Sequence, residues 1–192
     1  SGAGKLQQAV RSAAQPRKHG KTGGKGGEFA GELAGAGVVG RLGDLGSIEG
    51  KYDVAISTAC PALDNVVVRT TAGGQAVIEF LRRRELGRAR VIVLDKLGYL
   101  AARLDEEVAT PEGVPRLVDL VEVPDPAVRP AFLLALGNTL VAEDLEQAVR
   151  IAYRDGKPAW RVVTLAGELI DASGTMSGGG RGARRGGMRG SA

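Results

Sequence analysis

The sequence predicts an α/β domain made of two pseudo-repeated αβ lobes with mixed sheets. Three observations predict it. Short β-branched runs alternate with stretches of helical apolar spacing between residues 38 and 172, the rhythm of helices packed on a parallel or mixed sheet. The two halves of that stretch repeat each other. Ala62-Leu63-Asp64-Asn65 matches Ala135-Leu136-Gly137-Asn138 at an offset of 73 residues, and after one deletion Gln75-Ala76-Val77 matches Gln147-Ala148-Val149. The 192 residues are 43% hydrophobic but only 4% aromatic, so a core of Val, Leu, Ile and Ala must serve one domain or two small lobes sharing an interface.

The elements follow in order. Residues 5–14 carry Leu6, Ala9, Val10, Ala13 and Ala14 on one helical stripe. A helix this short is marginal alone and reads as the end of a longer one. Residues 15–37 are Gly- and Lys-rich and read as a loop. A strand at 38–42, a helix at 52–63, a strand at 65–69, a helix at 74–86 capped by Gly87, and a strand at 89–94 build the first half. Residues 99–107 fit a helical turn, and 108–116, with Pro111, Gly113 and Pro115, a linker. The second half repeats the order: strand 117–123, helix 127–136 started by Asp125-Pro126, strand 139–142, helix 144–154, and a hairpin of 160–165 with 169–172.

Charge is segregated. Residues 1–30 hold six basic groups against Glu28, residues 174–192 hold four arginines and no acid, and the stretch between them is net acidic. Basic ends suit a phosphate backbone, and equally suit a solvated tail. No apolar run approaches membrane-spanning length, no apolar leader core is present near residue 1, and the one cysteine, Cys60, excludes an internal disulfide.

The chemistry of catalysis is missing. His19 is the only histidine and lies in the loop, Cys60 sits in an apolar helix, and no His/Cys/Asp cluster has metal-ligand spacing. Ser1-Gly2-Ala3-Gly4-Lys5 lacks the strand and hydroxyl of a phosphate loop, and Asp105-Glu106-Glu107 reads as a solvated helix end. No catalytic residue, metal, cofactor or small-molecule substrate is expected. Two features stand out: Gly174-Thr175-Met176-Ser177-Gly178-Gly179-Gly180 after the last strand, and the run Arg82, Arg83, Arg84, Arg88 and Arg90.

Several motifs carry a family resemblance: Val39-Gly40-Arg41-Leu42-Gly43-Asp44-Leu45, Tyr52-Asp53-Val54-Ala55-Ile56-Ser57, Thr110 to Leu117, Asn138-Thr139-Leu140-Val141, Trp160 to Gly167 and Gly174 to Gly180. In order and spacing they resemble the hinge domain of the structural-maintenance-of-chromosomes (SMC) ATPases, most closely the fourth-subunit type found in condensin. The resemblance implies a hinge of two lobes, 38–110 and 111–180, flanked by coiled-coil remnants. Residues 1–18 would belong to one arm, 19–37 to a flexible Gly/Lys-rich segment longer than is usual in the family, and 181–192 to a basic tail. It further implies no ATPase motif in this stretch, and heterodimerisation with the hinge of a partner condensin SMC subunit through Gly174, Thr175, Gly178, Gly179 and Gly180. DNA binding, preferentially single-stranded, is expected of Arg82, Arg83, Arg84, Arg88, Lys18, Lys21 and Lys25, in a nuclear, chromosomal setting and also in the cytoplasm. The alternative is a monomeric nucleic-acid-binding α/β domain.

Overall fold

The computed structural model describes residues 2–14, 33, 35–154, 156, 159–179 and 184–191. His19, Lys18, Lys21, Lys25 and Gly180 lie outside the described residues. The chain order is α1 (Gly2–Ala14), β1 (Val38–Arg41), β2 (Ser47–Glu49), α2 (Asp53–Ala59), β3 (Val66–Val68), α3 (Thr71–Arg83), β4 (Val91–Val93), α4 (Ala101–Leu104), α5 (Arg129–Leu136), β5 (Leu140–Ala142), α6 (Leu145–Ala152), β6 (Val162–Thr164), β7 (Leu169–Ile170), β8 (Met176–Ser177) and β9 (Arg189–Ser191).

The repeat is visible as two parallel crossovers. β3-α3-β4 and β5-α6-β6 each join neighbouring parallel strands through a helix, and each is preceded by a helix, α2 or α5. The first sheet runs β1-β3-β4 with β1 antiparallel, and the second runs β5-β6-β7-β8 with the last two strands antiparallel. Both sheets are mixed, as expected. Buried valines at 66–68 and Val162, Val163 and Thr164 have both faces covered, which explains why these strands are continuous apolar runs without polar alternation.

Local signals set the helices. Thr70 accepts from the Gly73 amide at 3.2 Å and starts α3 three residues before the expected position. Val77, Phe80 and Leu81 form its buried face. The helix stops before Gly87. Glu85 takes the left-handed conformation (φ 52°), and the Leu86 amide reaches back to the Leu81 carbonyl at 3.1 Å while its side chain is buried. This is the glycine-type helix stop, held by a buried leucine at a non-glycine position. Asp144 caps α6 by accepting from the Gln147 amide at 2.8 Å.

The halves interlock. One hydrophobic cluster takes Leu42, Ile48, Ile56, Leu63 and Val67 from the first and Leu117, Phe132, Leu136, Val141 and Val163 from the second, with a satellite cluster under each sheet. Ser47 exchanges two backbone hydrogen bonds with Glu122, at 2.9 and 2.8 Å. Residues 117–120, expected to start a strand, form a 3-10 turn instead. Leu117 is fully buried there, with Pro115 bonding β5 through its carbonyl at 3.0 Å. The expected linker is likewise ordered: residues 111–113 form a turn clamped to α6 by Arg150, whose Nε donates to Glu112 at 2.7 Å.

That clamp gives a pH prediction. Hydrogen bonds from Arg150 and Gln147 lower the Glu112 carboxyl to about 2 from its ordinary 4.5. A depressed carboxyl contributes stability that is present above its unfolded value and lost as pH falls through its folded value. The Tm difference between wild type and Glu112→Gln should therefore be present at pH 6 and vanish as pH falls from 4.5 to 2. A difference independent of pH would refute the clamp's ionic character. The size is small, because the pair is largely exposed.

Candidate functional site

Two regions of the surface gather the features that the sequence singled out. The first is the open end of the second sheet. β8 pairs with β7 through Leu169↔Ser177 and Ile170↔Met176, and among the described residues nothing pairs with its outer edge. The opposite edge of that sheet, β5, is covered: Leu117 donates to Thr139 and Val141 to Pro115. Met176 is 52% exposed on the open strand.

The turn feeding β8 is built rigidly. Asp171 accepts from the Ser173 amide at 2.9 Å, the Gly174 amide returns to the Asp171 carbonyl at 2.9 Å, and Tyr153 donates to the Gly174 carbonyl at 3.1 Å. The Ser173 amide and hydroxyl, then Arg161, hold the Asp171 carboxyl below its ordinary value. Gly174 has φ 94°, which explains why glycine stands there. Thr175 closes the turn through its carbonyl, which accepts from Asp171 at 2.8 Å. Gly178 follows β8 at close quarters, since a Cβ would lie 2.9 Å from Glu168 Cγ, whereas Gly179 (φ 79°) has open space around it. Four of the five expected interface residues thus lie on one short loop-and-strand edge.

The second region is basic. Arg82, Arg83 and Arg88 are exposed at and just past the end of α3, together with Arg90, and Arg84 is half-buried. Arg82 and Arg83 stand in the last turn of the helix, where its carbonyls end and cations are favoured.

Sequence reasoning missed a third feature. The last segment, 184–191, read as tail, folds back on the first half. β9 pairs in parallel with β2, Met188 is buried, and the Arg41 guanidinium donates to the Gly187 carbonyl at 2.9 Å. An arginine set between apolar residues was the available signal, but no local pattern tells which carbonyl it meets.

Among the described residues there is no group of three or more metal-ligating side chains, and no helix is long and apolar enough to cross a membrane. Burial raises the Cys60 thiol to about 11, and its sulfur faces the Ala135 carbonyl at 4.0 Å, an inert core position.

Known proteins agree with this architecture. The family model for the SMC proteins flexible hinge domain matches residues 35–152. Structural maintenance of chromosomes protein 4 of Schizosaccharomyces pombe is 55% identical over 152 residues, covering 79% of this chain and 11% of the relative. The chain therefore spans about a tenth of that protein's length. Among solved structures, an asymmetric dimer of the Geobacillus stearothermophilus SMC hinge domain aligns with TM-score 0.64 and 27% identity, covering 93% of this chain and 75% of the other. The Pyrococcus furiosus Smc hinge domain with an extended coiled coil aligns with TM-score 0.64 and 25% identity, covering 95% and 58%. On the family match and the shared two-sheet fold, the chain belongs to the SMC hinge family.

Proposed function

We propose that the chain is the hinge of a condensin-type SMC subunit, a non-catalytic module that heterodimerises with the hinge of a partner SMC subunit and so joins two arms on chromosomes in the nucleus. The observation that carries this reading is the outer edge of β8, unpaired among the described residues, next to Gly174, Thr175, Gly178 and Gly179. An open strand edge recruits a strand from another chain. Gly180 extends the same run in sequence. In this assignment residues 1–18 belong to one arm, 19–37 to a connecting segment, 38–110 and 111–180 to the lobes, and 181–192 to the exit. The test is light scattering of this chain with and without a partner condensin hinge. A stable 1:1 complex is the expected result, and a chain that stays monomeric with every partner hinge overturns the reading.

DNA binding is the second part of the proposal. Arg82, Arg83, Arg84 and Arg88 present a basic end of α3, with Lys18, Lys21 and Lys25 adding charge in sequence, and such a surface suits single strands. Arg82→Glu with Arg83→Glu should weaken single-stranded DNA affinity by about tenfold or more at low salt and flatten its salt dependence. Unchanged affinity in fluorescence anisotropy would leave these arginines as ordinary surface groups. If the chain bound DNA yet never dimerised, the monomeric nucleic-acid-binding alternative would hold.

A further inference from the structure

Arg41 shares with Arg116 the deepest burial of any charge among the described residues, its side chain only 7% exposed. A guanidinium so far from water is costly unless its donors are matched. Nη1 donates to the Leu63 carbonyl at 3.2 Å, to Asp64 Oδ1 at 3.2 Å and to the Gly187 carbonyl at 2.9 Å, and Nη2 donates to that same carbonyl at 2.9 Å. Nε makes no hydrogen bond but lies 3.6 Å from Asp44 Oδ2. The acceptor shared by both Nη atoms is 146 residues away in sequence.

The two carboxylates beside Arg41 also reach the first helix. Asp44 accepts from Arg11 Nε at 2.8 Å, and Asp64 accepts from Gln7 at 3.3 Å, both donors on α1. Each carboxylate thus holds Arg41 on one side and α1 on the other. The returning segment is gripped from its other side too. The Gly186 amide donates to the Asp53 carboxylate at 2.9 and 3.1 Å, and the Gly187 amide to Ser57 Oγ at 3.0 Å. The fit leaves no slack: a Cβ on Gly187 would lie 2.8 Å from both Leu63 Cδ1 and Ser57 Oγ, and one on Gly43 only 2.0 Å from the Gly187 oxygen.

We propose that residues 184–191 form a strap and that Arg41 is its positioning residue, tying the outgoing chain to the incoming helix α1 through Asp44 and Asp64 so that both pass the first lobe side by side. This rests on the hinge reading only for its meaning, namely that the strap would set how the second arm departs relative to the first. The charge argument gives it direction. With the strap docked, both Nη atoms have an acceptor. With it lifted, a buried cation loses its shortest contact, so strap and cation stabilise each other.

The experiment uses the full chain. Amide hydrogen exchange is followed for 184–191 and, as reference, for β3 and β6. Arg41→Gln removes the charged donor, and Gly43→Ala keeps the charge but wedges a methyl between the Gly187 oxygen and Arg41 Nη1, which would lie 2.0 and 2.7 Å from its Cβ. Each should speed exchange at Gly187 to Ser191 by about tenfold to a hundredfold while β3 and β6 keep their protection, and Arg41→Lys should restore part of the protection. In a Cys60→Ala background, spin labels at Lys5→Cys and Arg189→Cys should give one narrow distance that broadens in both variants. Unchanged exchange at 184–191 overturns the proposal, and so does loss of protection throughout the chain, which would make Arg41 a core residue with no local role. Light scattering of the unaltered chain with a partner hinge is read separately. Failure there counts against the hinge reading and leaves the strap result standing.

Discussion

Gly178→Asp with Gly179→Asp is expected to abolish association with a partner hinge while leaving the melting curve close to wild type. The two positions follow β8, whose outer edge is open among the described residues. A joining strand needs the backbone there to be reachable and the neighbouring charge to be tolerable. Aspartate at 178 would stand against Glu168, because its Cβ would come within 2.9 Å of the Glu168 Cγ, and two more carboxylates would crowd the edge. Aspartate at 179 would also take φ 79°, a strain of about 1–2 kcal/mol for a side chain with a Cβ. Both residues sit outside the three hydrophobic clusters, so the body should keep its fold. A loss of about a hundredfold or more in affinity is the expected scale for unpaired charge placed in an interface centre. The check is size-exclusion with light scattering, alongside thermal melting. Normal complex formation by the double variant would remove β8 from the interface, and the single variants separate the Glu168 contact from the φ strain.

Much of this architecture was readable because it is local. β-branched runs at 66–68 and 162–164, capped helices, and the matched segments of an internal repeat each lie in short windows, and these elements appear in the structure in the expected order. The edge was legible only in part: the Gly174 to Gly180 run stood out locally, but the strand within it, Met176–Ser177, was not expected, because two residues carry too little strand signal without their pairing to Leu169 and Ile170. What escaped is tertiary. Residues 117–123 read as a strand by apolar spacing, yet Leu117 points into the shared cluster and only Glu122 is in register with another strand, at Ser47. A short apolar run does not by itself choose between strand and packed turn. β9 is the sharper case. Arg189-Gly190-Ser191 has no strand propensity, and it is a strand because Arg41, Asp53 and Ser57 seize the two glycines before it. Gly87 shows the converse, a correct stop signal two residues late, because burying Leu86 outweighs the positive φ at Glu85.

Phe132→Ala should cost about 3–5 kcal/mol, the range for deleting a buried aromatic and leaving a cavity. Phe132 is 1% exposed on α5 and belongs to the cluster that both halves share. Its ring tip lies 3.0 Å from where a Cβ on Gly46 would stand, so the loop before β2 closes directly over it. Gly46 has no side chain with which to collapse into the gap. A surface cavity of about 140 Å³ already adjoins Phe132 and Leu133, so truncation would join a void to an opening and admit water to an apolar site. Against a total stability of about 5–15 kcal/mol for a domain of ordinary size, this is a large fraction. Leu134→Ala on the same helix, 46% exposed, is the control, with an expected change within about 0.5 kcal/mol. Urea unfolding should show one transition for both halves, its midpoint shifted in Phe132→Ala at unchanged slope. If the variant instead unfolded in two steps, with one half keeping the wild-type midpoint, the cluster would not be a shared core and each half would carry its own stability.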